Sequence, residues 1–136
     1  MRGCTRRTFN LVLGGVAVEL LACGSSAPTL TPTSGMVTLG FAQFPALRSP
    51  GGSAVVQVQN EFPIVVVRTS DSDAVALSAT CTHAACLVDY DGRQIHCPCH
   101  DANFGLDGAV LGGPTSIPLP TYAAMPTADG IVVDLS

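Results

Sequence analysis

Lysine and tryptophan are both missing from the 136-residue chain, and aromatic side chains make up only 5% of it. Nucleic-acid surfaces draw on cationic side chains for phosphate contacts and on aromatic rings for base stacking, so a formal charge of −4 with so few rings excludes that class of partner. A long apolar run is also absent. Leu11 to Ala22 is the longest mostly apolar stretch, it is interrupted by Glu19, and about 20 residues are needed to cross a bilayer. Charged residues are scarce at 12% while hydrophobic residues reach 47%, so the chain is not a disordered, solvated polymer. The length suits one domain and is short for two. What the chain has in quantity is turn and thiol chemistry: 14 Gly, 10 Pro and 6 Cys. The first two favour short strands joined by turns, and so many cysteines in a small chain call for an explanation of their own.

The N-terminal segment reads as an address rather than as structure. Arg2, Arg6 and Arg7 form a basic start, followed by the apolar stretch and then polar residues after Cys23. Thr5-Arg6-Arg7-Thr8-Phe9-Asn10-Leu11 resembles a twin-arginine export signal, with Asn10 where an apolar residue is usual. Leu20-Leu21-Ala22-Cys23 resembles a bacterial lipobox, which makes Cys23 the expected lipidation site. The expected organisation is therefore a signal over residues 1–22, a lipidated Cys with a Ser/Thr/Pro/Ala tether over 23–35, and one domain over 36–136. Beyond residue 22 only Arg48, Arg68 and Arg93 face nine carboxylates. An acidic balance of this kind serves solubility as well as it serves a cationic partner.

The body of the chain has strand character. Val37-Thr38-Leu39 and Ala54 to Gln59 show β-branched residues with partial alternation, and Ile64-Val65-Val66-Val67 is a continuous apolar run expected of a strand covered on both faces. Val75-Ala76-Leu77-Ser78 leads into the first Cys cluster. Leu87 to Tyr90 and Gln94 to Cys97 flank Asp91-Gly92, a hairpin signal. Ile131 to Leu135 makes a last strand. Short strands at intervals of about 8–12 residues, without a helical period, predict an all-β fold: a small antiparallel sandwich or barrel.

Two clusters carry the chemistry. Cys81-Thr82-His83-Ala84-Ala85-Cys86 precedes the expected hairpin and Cys97-Pro98-Cys99-His100 follows it, so the hairpin sets both loops at its open end. Thiols and imidazoles gathered in this way form a metal site, either one tetrahedral zinc or a two-iron, two-sulfide cluster with two Cys on one iron and two His on the other. Two plain disulfides in a secreted lipoprotein would leave both His without a role. His96 fits no ligand slot and reads as a satisfied strand residue.

The pattern Cys-x-His followed by Cys-x-x-His resembles the Rieske iron–sulfur family, in the branch whose loops each carry one more Cys. The resemblance runs from about Met36 to Leu135. It implies a Rieske-type β fold with a two-loop cluster-binding subdomain over about residues 81–115, and one [2Fe–2S] cluster. Cys81 and Cys97 would hold one iron, His83 and His100 the other, and Cys86 and Cys99 would form a disulfide between the loops. Gly112-Gly113-Pro114 resembles the family's cluster-covering proline loop, which places Gly113 and Pro114 over the site. The chain departs from the pattern in several places. The spacer from His83 to Cys97 is short. Ala85 and Asp101 stand where the family has Gly, and they are acceptable to different degrees if a positive φ is required. Ala102 and Phe104 replace a Ser and a Tyr whose hydroxyls reach cluster sulfurs, and the loss of those hydrogen bonds lowers the expected potential.

The resemblance implies a one-electron carrier at the outer face of a bacterial membrane, exported and lipid-anchored, with proton-coupled reduction. A quinol or an oxidoreductase subunit would be the donor and a cytochrome c the acceptor. The alternatives are the Rieske subunit of a quinol–cytochrome c reductase, that of an arsenite-oxidase-like periplasmic enzyme, or a structural zinc lipoprotein. No substrate pocket or general base is legible, so no catalytic residue is assigned and the chain is not expected to be an enzyme alone.

Overall fold

Over residues 28–136, which the computed structural model describes, the branched aliphatic runs and the Gly/Pro punctuation resolve into eleven short strands and one 3-10 turn. The expected signal and Cys23 lie outside the described residues. The strands are β1 (Thr29–Leu30), β2 (Met36–Gly40), β3 (Ser53–Val58), β4 (Ile64–Arg68), β5 (Ala74–Ser78), β6 (Asp89–Tyr90), β7 (Ile95–Cys97), β8 (Ala102–Phe104), β9 (Val110–Gly112), β10 (Thr121–Pro126) and β11 (Gly130–Asp134). The 3-10 turn is Pro45–Arg48, with its Pro in the first turn, where the missing N–H costs nothing.

Seven strands form one sheet in the order β1-β3-β4-β5-β10-β11-β2, and β6-β7-β8-β9 form a second. The large sheet curls, because strands from its opposite ends bury side chains in one core: Val37 and Leu39 of β2 and Ile131 and Val133 of β11 join Val56 of β3 and Ile64 and Val66 of β4. Such curling reduces the exposed edges of an open sheet. The fold is thus the expected all-β one. One pair departs from the antiparallel pattern, since β1 runs parallel to β3, with Thr29 opposite Gln57 and Leu30 opposite Val58. Part of the expected tether therefore lies against the body as a strand.

β4 explains how the two sheets share a wall. Its apolar run has no polar alternation, and all five residues are buried. Ile64 and Val66 enter the first core, while Val65 and Val67 enter a second core with Leu77, Val88, Ile95, Phe104 and Leu119. Burial of each such side chain is worth roughly 1.5–3 kcal/mol. Cys81 and Cys97 sit in that second core. The small sheet is thereby fixed to the large one directly beneath the two Cys/His clusters.

Candidate metal centre

Strand pairing delivers the two clusters to one end of the molecule. β5 ends at Ser78, and the Ala79 N–H donates to the Pro63 carbonyl and the Val88 N–H to the Ala79 carbonyl, which ties down both ends of the first loop. Inside the loop the Cys81 N–H donates to the Cys86 carbonyl (2.8 Å) and the Ala85 N–H to the Cys81 carbonyl (3.0 Å). The expected hairpin is present, with Asp89 opposite His96 and Tyr90 opposite Ile95. Its turn is closed by the Asp91 carboxylate, which accepts the N–H groups of Arg93 and Gln94 at 2.9 Å. Those two donors hold the Asp91 carboxyl below the usual carboxylate range.

The second cluster is a four-residue connection between β7 and β8, because Cys97 pairs with Ala102. Ala85 and Asp101 adopt φ values of 53° and 55°, so both family glycine positions are left-handed here. An L-residue pays of order 1–2 kcal/mol for that conformation, less for Asp than for Ala. Asn103 braces the turn: its Nδ2 donates to the Asp101 carbonyl (3.0 Å), while its Oδ1 accepts from Gln94 Nε2 (2.9 Å) and lies 2.8 Å from His96 Nδ1. Because Oδ1 can only accept, His96 donates from Nδ1. His96 is thus a satisfied strand residue.

Cys86 and Cys99 are joined in a disulfide between the two loops. Cys81 and Cys97 remain free and buried. The exposed rings of His83 and His100 face one another edge to face, with centroids 4.7 Å apart. The candidate ligand set is therefore two buried thiols and two imidazoles open to solvent. Among the described residues no three or more His, Cys, Asp or Glu side chains are close enough to hold one metal ion. Two thiols and two imidazoles are a donor set that suits either one tetrahedral metal ion or two bridged irons.

A third segment closes over this end. Gly113 has φ 103°, and a Cβ there would lie 2.6 Å from the Ala102 Cα and 2.9 Å from the Asp101 carbonyl oxygen. Only glycine lets the Gly113-Pro114 loop approach the second cluster this closely. Thr82, between Cys81 and His83, donates its hydroxyl proton to the Ile117 carbonyl (2.7 Å). The Thr115 hydroxyl, 3.1 Å away, then donates to Thr82. Sequence reasoning missed this clasp, since an isolated Thr pair carries no spacing signal. Ala102 and Phe104 are fully buried with Cys97.

Comparison with known proteins agrees with this geometry. Residues 43–123 match the family model for the Rieske [2Fe-2S] domain. The chain is 36% identical over 94 residues to the cytochrome b6-f complex iron-sulfur subunit of Chlorobaculum tepidum, covering 68% of this chain and 51% of that protein. It thus spans about half the length of the curated relatives it matches. The crystal structure of the plasma membrane Rieske protein PetC3 of Synechocystis PCC 6803 superposes with a TM-score of 0.59 at 34% identity, covering 71% of this chain and 97% of that one. The ferredoxin of carbazole 1,9a-dioxygenase from Nocardioides aromaticivorans IC177 shares the fold, with a TM-score of 0.59 at 23% identity over 82% of this chain and all of that one.

Proposed function

The chain belongs to the Rieske [2Fe-2S] domain family and so carries one [2Fe–2S] cluster, and from that premise we propose that it is a membrane-tethered one-electron carrier whose cluster is held by Cys81, His83, Cys97 and His100. The pairing of two buried thiols with two facing, exposed imidazoles carries this reading. When bound, the cluster takes up and releases a single electron. Cys81 and Cys97 supply thiolates in a water-poor core, where low dielectric strengthens their bond to a cation. His83 and His100, both exposed, would each hold the cluster through one ring nitrogen and leave the other to solvent. An electron held on the cluster would add negative charge beside these rings, so the outer nitrogens of His83 and His100 are the atoms placed to hold a coupled proton. The disulfide and the Thr82–Thr115 clasp keep the ligand loops in register, and Gly113 and Pro114 shield them.

The domain proper is residues 36–136, delivered by the export signal over 1–22 and anchored through lipidated Cys23, with the cluster at the periplasmic or outer face. A quinol or a quinol-oxidising subunit is the donor and a cytochrome c the acceptor. The relatives named as cytochrome b6-f subunits and as a plasma membrane Rieske protein support that setting. Exposed Leu87 and Ile117, beside the ligand loops, give this end an apolar rim suited to docking.

Redox titration against pH tests the proposal. The midpoint is expected to fall by about 59 mV per pH unit for each outer nitrogen that is unprotonated in the oxidised protein and protonated in the reduced one, and a midpoint flat from neutral to alkaline pH would contradict proton coupling. In the same titration F104Y, which restores a hydroxyl beside the buried sulfurs, is expected to raise the midpoint. A hydrogen bond favouring the reduced state by about 1.4 kcal/mol shifts a one-electron potential by about 59 mV. An unchanged or lower F104Y midpoint would show that this hydroxyl does not reach sulfur.

A further inference from the structure

Arg68 ends β4 at the pole opposite the ligand loops. It pairs with Ala74 at the start of β5, whereas Ile64 pairs with Ser78, the residue that leads toward Cys81. Its side chain is only 8% exposed. Three backbone carbonyls receive its protons: Ser70 from Nε (3.0 Å), Leu47 from Nη1 (3.2 Å) and Asp71 from Nη2. The guanidinium also lies 5.4 Å from the centre of the Phe41 ring. Neutral acceptors and a ring face orient the cation without neutralising it, and a buried charge ordinarily has a counter-charge. Among the described residues no carboxylate forms an ion pair with Arg68.

The pocket in front of it measures about 630 Å³ and is lined by Phe41, Arg48, Arg68, Thr127 and Asp129 among others. It thus holds two of the three Arg found beyond the N-terminal segment of a markedly acidic chain. Asp129 makes no ion pair with either of them, so the lining keeps an excess of one positive charge. The architecture is preset, because a Cβ on Gly52 would fall 1.7 Å from the Ala46 carbonyl oxygen. Only glycine lets β3's approach and the 3-10 turn carrying Arg48 close around Arg68.

We propose that this pocket is an oxyanion site for a phosphate group. Ser70 and Asp71 occupy the Nε/Nη2 fork, so Arg68 offers only the remaining protons of Nη1 and Nη2. A tetrahedral phosphate can take these and the Arg48 guanidinium at once, whereas the two coplanar oxygens of a carboxylate are satisfied by one guanidinium. The group belongs either to free phosphate or to a phospholipid headgroup. The site lies at the far pole from the cluster, so it is independent of the electron-transfer reading.

Amide NMR of the cluster-loaded protein tests it, with titration by inorganic phosphate at constant ionic strength and, separately, by short-chain phosphatidylglycerol. Saturable shifts at Phe41, Ala42 and residues 127–129 are expected. Shifts with phosphate assign the free anion as a ligand, and shifts with phosphatidylglycerol alone assign the headgroup. Arg48 is exposed, so R48A is expected to keep the fold and the cluster's EPR spectrum while weakening binding about tenfold, the loss of one charge-assisted contact. No saturable shift with either probe, or binding that R48A leaves unchanged, overturns the site.

Discussion

H100A is expected to give a folded protein with no Rieske-type cluster, its visible absorbance and reduced-state EPR signal down at least about tenfold. His100 is exposed on the four-residue β7–β8 connection, so its removal opens no cavity in either core. Neither of the other two His can replace it. His83 is already a proposed ligand on the opposite loop, and the His96 ring nitrogen Nδ1 is engaged by Asn103. H96A is the matched control and is expected to retain the full signal. If H96A loses the cluster and H100A keeps it, the ligand assignment is wrong. Circular dichroism of both variants shows whether the strands persist, so that loss of the signal is not mistaken for unfolding.

Removing the Cys86–Cys99 disulfide is expected to have the second large effect. The bond spans 13 residues and encloses the whole β6–β7 hairpin between the loops. Closing a loop of about 15 residues is worth about 3 kcal/mol through the entropy of the unfolded chain. A small domain has about 5–15 kcal/mol in total, so the double variant C86S/C99S should lose a large share of its stability in denaturant titration. The cluster should also become labile, because Cys97 and His100 are then tied to the first loop only through packing. A double variant that matches the parent in both denaturation midpoint and cluster retention would mean that the Thr82–Thr115 clasp and the second core suffice.

How much of this was legible in the sequence depends on whether the signal was local. The Cys/His spacing, the Asp91-Gly92 hairpin and the doubly buried β4 run are local, and each is present in the structure. The positive φ of Ala85 was legible only through the family resemblance, because Ala does not announce a left-handed backbone, whereas Asp101 is a residue type that tolerates one. β10 was not legible. Thr121 to Pro126 contains Ala123, Ala124 and a terminal Pro, which are poor strand formers, and its conformation is imposed by pairing with β5 and β11. The three-residue strands β8 and β9 offer too short a pattern for period 2 to register. The parallel docking of Thr29–Leu30 is a long-range event, encoded in the free edge of β3 rather than in a polar, Pro-containing segment. Arg68 reads as a polar strand end, and its burial follows only from how the 3-10 turn and the β4–β5 turn close over it.

The central claim is two-Cys, two-His ligation of one cluster. EPR spectroscopy of the protein expressed with cluster assembly, before and after dithionite, tests it most directly. An anisotropic signal of low average g that is absent before reduction and present after it is the predicted result. A colourless protein, silent in both states and holding one zinc per chain, would contradict it.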